Sequence, residues 1–303
     1  MRNKDKVLFL WLNDKEFHSI NARRRGVKTS NVYKNLPVFL KAIRRIQIML
    51  DIFSIYPWLG DWRNNLNDFD TVIIHASRIT SPVVRYIHNN NPKIRIIVWY
   101  WNPVLKCEKL EKYPSEICER WTFDEQDAEN FNLKYNRQYY FNDILLEDRE
   151  IVNDVFFIGG DKGRLGILKN LEKELQNYNI RTDFHITKTS KNSDKNAIYK
   201  KRISYDESLK KVSSSKAILD IVSAGQTGLT LRPLEALFFQ KKLITNDKSI
   251  LNRDFYNPNN IFVLEHNNMA DIKAFLESPY SVVPQEIMDK YDFDKWLNRF
   301  FNK

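Results

Sequence analysis

The chain has 303 residues, of which 43% are hydrophobic and 13% aromatic, a composition that excludes disorder and is sufficient for two domains of ordinary size. No apolar run reaches the roughly 18–20 residues that a membrane span needs, and two cysteines with no signal peptide ahead of the first strand predict a cytoplasmic protein. The net charge of +10 predicts an anionic partner, yet the absence of zinc spacing and of nucleic-acid-binding motifs argues against a dedicated nucleic-acid module.

The first predicted strand is the apolar run 6–12, and polar residues from Asn13 onwards begin the loop that follows it. Loops at the carboxyl ends of strands in α/β sheets face the ligand. Asp14, Glu16 and His18 are therefore candidates for contacting an acceptor or removing a proton, and an ordinary surface loop is the alternative. We take Asp14 as the catalytic candidate of this loop.

A basic amphipathic helix is predicted from 36 to 53, where Lys41, Arg44 and Arg45 lie among apolar residues at helical spacing. Such a helix could rest on an anionic bilayer, the surface that carries lipid-linked sugar acceptors. It could equally pack its apolar side on its own sheet and leave its charges in solvent.

A strand at 69–75, a helix at 79–88 and a strand at 94–101 alternate as β-α-β, which predicts a parallel sheet with right-handed crossovers. His75 ends the first of these strands, a position from which a histidine could act as a catalytic base. A purely structural hydrogen bond is the alternative. Further along, Asp124 is a predicted N-cap between a short strand and an acidic helix, and 135–141 reads as another strand.

A second alternating unit begins with the strand 154–160, whose glycines lead through a short loop into the helix 165–176. Glycines allow a backbone to approach a ligand closely, and Lys162 and Arg164 offer cations beside Gly160. These two charges could also be solvated surface charges.

The apolar run 217–222 predicts a buried strand, and a glycine-containing loop joins it to a helix that Pro233 begins. Glu235 lies in the first turn of that helix. A strand, a glycine loop and a helix N-terminus bring backbone N–H groups together around an anion such as a nucleotide diphosphate.

The segment Gly228-Leu229-Thr230 to Glu235-Ala236-Leu237, followed by 242–247, resembles the donor-site segment of GT-B glycosyltransferases. In that family the helix glutamate holds the ribose hydroxyls of the sugar nucleotide, which implies this role for Glu235. The alternative is an ordinary carboxylate favoured by the helix dipole. Where family members often carry a second acidic residue, this chain has no carboxylate between 224 and 226, so the resemblance leaves a retaining or inverting outcome open.

A second resemblance covers 122–135, where Thr122-Phe123-Asp124, an acidic helix and Asn132-Leu133-Lys134-Tyr135 are similar to the end of the acceptor domain in bacterial lipopolysaccharide and capsule glycosyltransferases. Together the resemblances imply an α/β fold with two Rossmann-like domains facing each other across a cleft (GT-B). The implied domains are an acceptor domain at 1–150, a nucleotide-sugar donor domain at 151–285, and a C-terminal helix at 286–303 packing back on the first.

The implied function is transfer of a sugar from a nucleotide-sugar donor to a growing surface polysaccharide or lipid-linked acceptor, with peripheral contact with the inner membrane. No metal or other cofactor is expected, because cations and helix N-termini can neutralise the diphosphate. The catalytic candidates are Asp14, His75, Lys162 and Arg164. The implied donor-binding residues are Gly160, Lys162, Arg164, Gly225, Gln226, Thr227, Gly228, Leu229, Thr230, Arg232 and Glu235.

Two alternatives remain open at this point. A GT-B-like epimerase would act on the nucleotide sugar itself and would need no acceptor. A non-catalytic protein would use its basic surface to bind polyanions or a membrane.

Overall fold

The computed structural model describes residues 4–189, 193–222 and 228–302. The chain forms two compact units, one comprising Met1–Arg137 with Trp296–Lys303 and the other Gln138–Lys295.

The first unit contains six strands and four α-helices among its described residues. The strands are β1 (Val7–Trp11), β2 (Lys28–Asn31), β3 (Thr71–His75), β4 (Arg95–Tyr100), β5 (Glu119–Thr122) and β6 (Lys134–Tyr135). The helices are α1 (Phe17–Arg24), α2 (Val38–Leu50), α3 (Ser81–Asn90) and α4 (Glu125–Asn130). All strand pairs are parallel, and the sheet order is β2-β1-β3-β4-β5-β6.

The central strands of this sheet are apolar on both faces because helices and loops cover both sides. Every residue of β1 is buried, and β3 and β4 each have a single residue that is only partly buried. The predicted β-α-β order of the first unit is therefore confirmed.

The second unit repeats this plan with five strands. They are β7 (Asn153–Gly160), β8 (Thr182–Thr187), β9 (Ser215–Asp220), β10 (Lys242–Thr245) and β11 (Ile261–Val263). The helices are α5 (Leu165–Asn177), α6 (Tyr205–Ser213), α7 (Leu231–Phe238), α8 (Ile272–Glu277) and α9 (Gln285–Asp289), and α10 (Phe293–Arg299) ends the chain's regular structure. The sheet is parallel in the order β11-β10-β9-β7-β8. Each unit is thus Rossmann-like.

Side-chain caps fix the N-termini of α4 and α6. The Asp124 carboxylate accepts the backbone N–H groups of Gln126 and Asp127, as the sequence predicts for α4. Ser204 and Glu207 form a capping box at the start of α6.

The predicted strand at 135–141 is wrong. The structure forms only the two-residue β6 there, and Tyr140 makes a single bridge to Asp292. Tyr139 and Phe141 are nonetheless buried and pack against Phe293, so the aromatic run reflects a core rather than a strand.

The end of the chain supplies aromatic residues to the core of the first unit. Trp296 lies 5.8 Å from the ring centroid of Phe9 and 5.5 Å from that of Trp99. The Trp296 carbonyl accepts a hydrogen bond from the Asn136 side chain.

Within 4–189, 193–222 and 228–302, none of the helices combines the length and the apolar character needed to cross a bilayer.

Candidate functional site

Both sheets have a topological switch point. At this point the chain stops adding strands on one side of the first strand and starts adding them on the other side. In parallel α/β sheets ligands bind outside the carboxyl ends of the strands at such a point. The sheet orders place it between β7 and β9 in the second unit and between β1 and β3 in the first.

The last two residues of β7 are glycines that neighbouring side chains approach closely. A Cβ on Gly159 would lie 2.6 Å from an Arg164 nitrogen, and one on Gly160 would overlap the Thr189 side chain. Lys162 and Gly163 then adopt positive φ values of 48° and 80°, which turns the chain into α5.

Arg164 joins the carboxyl ends of β7 and β9. Its Nε donates to the Gly160 carbonyl at 3.2 Å, and its Nη1 donates to the Ile221 carbonyl. The guanidinium lies over the Phe157 ring, 5.0 Å from its centroid. Burial lowers the pKa of Arg164, and the nearby Asp220 carboxylate opposes this change. The cation is therefore held at the switch point, whereas the Lys162 side chain is exposed.

Asp220 is the last residue of β9 and was not among the residues predicted for the site. Its side chain accepts a hydrogen bond from the Thr230 hydroxyl at 2.7 Å. Burial raises the pKa of Asp220 to about 6, although Thr230, Arg232 and Arg164 act in the opposite direction. A carboxylate at the end of an otherwise apolar run was the signal in the sequence that could have identified it.

Glu235 is fully buried at 0% exposure in the first turns of α7. One carboxylate oxygen accepts the Tyr205 hydroxyl at 2.5 Å, and the other accepts Nη1 of Arg232. The Glu235 carboxylate thus fixes the Arg232 side chain, and Asp220 interacts electrostatically with the same guanidinium. The ribose contact of Glu235 stays a prediction.

The structure brings Gly160, Thr230, Arg232 and Glu235 together with Arg164 and Asp220 into one network. Gly228 and Leu229 are buried immediately before it. Gly225, Gln226 and Thr227 lie outside the described residues.

In the first unit, the Asp14 carboxylate is engaged in the structure of its own loop. It accepts the Asn31 amide at 2.8 Å, and the Asn31 side chain accepts the Asp14 backbone N–H at 2.8 Å. Arg23 forms an ion pair with the same carboxylate at 3.4 Å. These contacts connect the loop after β1 to β2, and the catalytic role of Asp14 stays a prediction.

His75 lies among aromatic rings at the carboxyl end of β3. Its ring centroid is 4.5 Å from that of Trp11 and 5.3 Å from that of Trp101. Burial and the nearby His18 lower the pKa of His75 to about 3. The imidazole is therefore neutral near pH 7 and only weakly basic, which makes proton removal from a hydroxyl less effective in this arrangement.

A cavity of about 500 Å³ opens at the switch point of the first unit. It is lined by residues that directly follow or lie close after β1, β3 and β4, namely Leu12, Ala76 and Asn102. Five of its lining residues are cationic: Lys41, Arg44, Arg45, Arg78 and Lys106. The three cations in α2 were predicted from the sequence, whereas Arg78 and Lys106 were not.

Helix α2 has an unusual orientation. It buries Arg44 and Ile48, whereas most of its large apolar side chains are exposed: Val38, Phe39, Ile43, Ile46, Met49 and Leu50. The alternative in which the apolar side of this helix packs on its own sheet is therefore wrong.

No family model matches the sequence, and no curated protein sequence matches it. Among solved structures, TarM aligns with 78% of this chain at 15% identity and a TM-score of 0.52, and the chain covers 54% of TarM, about half its length. Sucrose-phosphate synthase from Thermosynechococcus elongatus aligns over 97% of both chains at 8% identity and a TM-score of 0.55. These similarities confirm two Rossmann-like domains of the GT-B fold.

Proposed function

We propose that the protein is a nucleotide-sugar-dependent glycosyltransferase, with the donor bound by the second unit and the acceptor by the first. The observation that carries the proposal is the network of Arg164, Arg232, Asp220 and Glu235 at the switch point of the second sheet. The GT-B fold agrees with this proposal. The segment that resembles the donor site of GT-B glycosyltransferases also supplies Thr230, Arg232 and Glu235 to that network.

In the proposed reaction, the bond from the anomeric carbon of the sugar to the diphosphate oxygen breaks, and the acceptor hydroxyl oxygen forms the new bond. The departing nucleoside diphosphate keeps the electron pair and gains negative charge. Arg164 and Arg232 would stabilise that charge without a metal ion. The proton of the acceptor hydroxyl would pass to a base, for which Asp14 and His75 remain the candidates.

The test is incubation with a panel of nucleotide sugars, with and without an acceptor, followed by measurement of nucleoside diphosphate release and of products. We expect release that depends on the acceptor. An isomerised sugar nucleotide formed without acceptor would instead identify an epimerase. Affinity for any polyanion, steeply reduced by salt and without nucleotide preference, would identify a binding protein.

We expect the affinity for an intact nucleotide sugar to fall by about tenfold between about pH 5 and about pH 7. Asp220, whose pKa is raised to about 6, becomes negatively charged over this range beside the two arginines that would bind the diphosphate. Calorimetric titration measures the change. An intact nucleotide sugar is needed, because the terminal phosphate of a free nucleoside diphosphate itself titrates near about pH 6.

The matched control for this pH effect is Asp220→Asn, which is neutral throughout the range and should bind with nearly constant affinity. An equal pH effect in parent and variant would exclude Asp220 as its source.

We further propose that the acceptor is a growing bacterial surface polysaccharide or a lipid-linked glycan, used at the cytoplasmic face of the inner membrane. The exposed apolar side of α2 supports this proposal. Apolar side chains such as Phe39 and Met49 flanked by Lys41 and Arg45 are suited to the boundary between head groups and acyl chains of an anionic bilayer.

The double substitution Phe39→Gln/Met49→Gln should reduce binding to phosphatidylglycerol-containing vesicles by at least about tenfold, because two apolar side chains that would be buried in the bilayer are removed. Vesicle co-sedimentation measures this partition. Val282→Gln is the matched control, because Val282 is 77% exposed in the second unit, away from α2 in the sequence. Equal binding by the double variant and the control would rule out α2 as the membrane contact.

A further inference from the structure

The cavity at the switch point of the first unit has a strongly one-sided charge. Its described lining residues include five cations and neither an aspartate nor a glutamate. An adjoining cavity of about 420 Å³ shares Lys41 and Arg44 and adds Lys15 and Lys34, again without a carboxylate among its described lining residues. Four of the five cations are exposed, so solvent weakens their mutual repulsion, and Arg44 is the buried one.

Arg44 is the most informative of these residues because it is 9% exposed and lines both cavities. Its guanidinium carbon lies 4.2 Å from the centroid of the Tyr33 ring, which holds the side chain in place. Its Nε is buried and has no hydrogen-bond partner among the described residues. A buried guanidinium without a hydrogen-bond partner at Nε is unfavourable, and an anion in the cavity beside it would offset this cost by pairing with its charge.

The number of cations indicates which anion fits best. One arginine is enough to pair with a single carboxylate, such as that of a uronic acid. Arg45, Arg78 and Lys106 beside Arg44 and Lys41 provide more positive charge than one carboxylate needs. A phosphate or diphosphate carries more negative charge and more acceptor oxygens, and it matches this cluster better.

We propose that the first unit recognises its acceptor through a phosphate or diphosphate group, which occupies this cavity and binds Arg44, Arg78 and Lys106. This proposal rests on the proposed function, since it names the chemical class of the acceptor. A lipid-linked diphosphate and a phosphate-containing glycan both supply this chemistry.

The test is titration of geranyl diphosphate, a soluble lipid diphosphate, into the parent, Arg44→Gln and Arg78→Gln, with geraniol as the phosphate-free control. We expect each variant to weaken binding by about tenfold or more, because each loses a charge-assisted hydrogen bond. Arg78 is exposed, so Arg78→Gln should fold normally and still test the site if Arg44→Gln does not fold. Melting temperatures of all variants show whether they fold.

Lys248→Gln is the matched control, because it removes an exposed cation of the second unit that pairs with Glu265, and its affinity for geranyl diphosphate should stay within about twofold of the parent. The proposal is overturned if the parent binds geranyl diphosphate no more tightly than geraniol. It is also overturned if Arg164→Gln loses binding while Arg44→Gln and Arg78→Gln retain it, because the diphosphate would then bind in the second unit.

Two competitors of acceptor use, an oligomer of polyol phosphate and geranyl diphosphate, distinguish the natural sources of the phosphate. Stronger competition by the oligomer indicates a glycan phosphate, and stronger competition by geranyl diphosphate indicates a lipid diphosphate. The outcome is separable from that of the proposed function. Diphosphate binding that depends on Arg44, without any sugar transfer, would support the anion site and contradict the transferase. Sugar transfer with equal efficiency by parent, Arg44→Gln and Arg78→Gln would support the transferase and contradict the anion site.

Discussion

Replacing Arg164 with alanine should reduce kcat/KM for sugar transfer by about 100-fold or more, which corresponds to about 2.7 kcal/mol of transition-state stabilisation. Arg164 is held between the carbonyls of Gly160 and Ile221, so its charge is already in place when the diphosphate departs. A fixed cation stabilises the negative charge that develops in the transition state more than it stabilises the bound donor. We therefore expect kcat to fall more than the donor KM rises.

Steady-state kinetics with a matched donor and acceptor measures this effect. Arg164→Lys keeps the charge but lacks the planar guanidinium whose Nε and Nη1 donate to the two carbonyls, and its activity should lie between those of the parent and the alanine variant. Lys162→Ala is the neighbouring control. The exposed Lys162 side chain should matter less than Arg164, and a kcat of Arg164→Ala within about twofold of the parent would exclude the role of Arg164.

Replacing Glu235 with alanine should lower the free energy of unfolding of the second unit by about 3 kcal/mol, the lower end of the range for breaking a buried ion pair. Arg232 retains partial exposure, which is why the lower end applies. The substitution removes the carboxylate that accepts hydrogen bonds from both Arg232 and the Tyr205 hydroxyl. For a unit of this size the melting temperature should fall by roughly 6–12 °C.

Thermal or denaturant unfolding measures this change. Glu235→Gln retains an acceptor for Tyr205 without the charge and should show an intermediate loss. Glu265→Ala removes an exposed carboxylate that pairs with Lys248, and it should change stability by less than about 0.5 kcal/mol. A loss below about 1 kcal/mol in Glu235→Ala would contradict the structural importance of the pair.

Much of the fold follows from local patterns in the sequence. The apolar runs that became β1, β3, β4, β7 and β9 are buried on both faces, and this burial is what makes parallel strands recognisable. The strand β2, with the sequence Lys-Thr-Ser-Asn, was missed because a short, polar edge strand has no apolar signal.

The orientation of α2 could not be read from its periodicity. A helical pattern shows that one side is apolar, but it does not show whether that side meets the sheet or lies exposed. The structure buries Arg44 instead, because the Tyr33 ring and the cavity provide the place for its guanidinium.

The candidate sites were predicted only where their residues are close in sequence. The loop from Gly160 to Arg164 and the segment from Thr230 to Glu235 were found from glycines, cations and a helix N-terminus. The contact of Arg164 with the end of β9, and the cluster of Arg44, Arg78 and Lys106, join distant segments at the switch points. Sequence spacing carries no signal for such contacts.

The most direct test of the proposed function is calorimetric titration of the parent and of Arg164→Ala with UDP, GDP, ADP and CDP, and with the corresponding nucleosides. We expect saturable binding with a clear preference for one diphosphate, weaker binding of its nucleoside, and a loss of about tenfold or more in Arg164→Ala. Absence of binding to every nucleoside diphosphate, or equal affinity of the parent and Arg164→Ala for the preferred one, would contradict a donor site at this switch point.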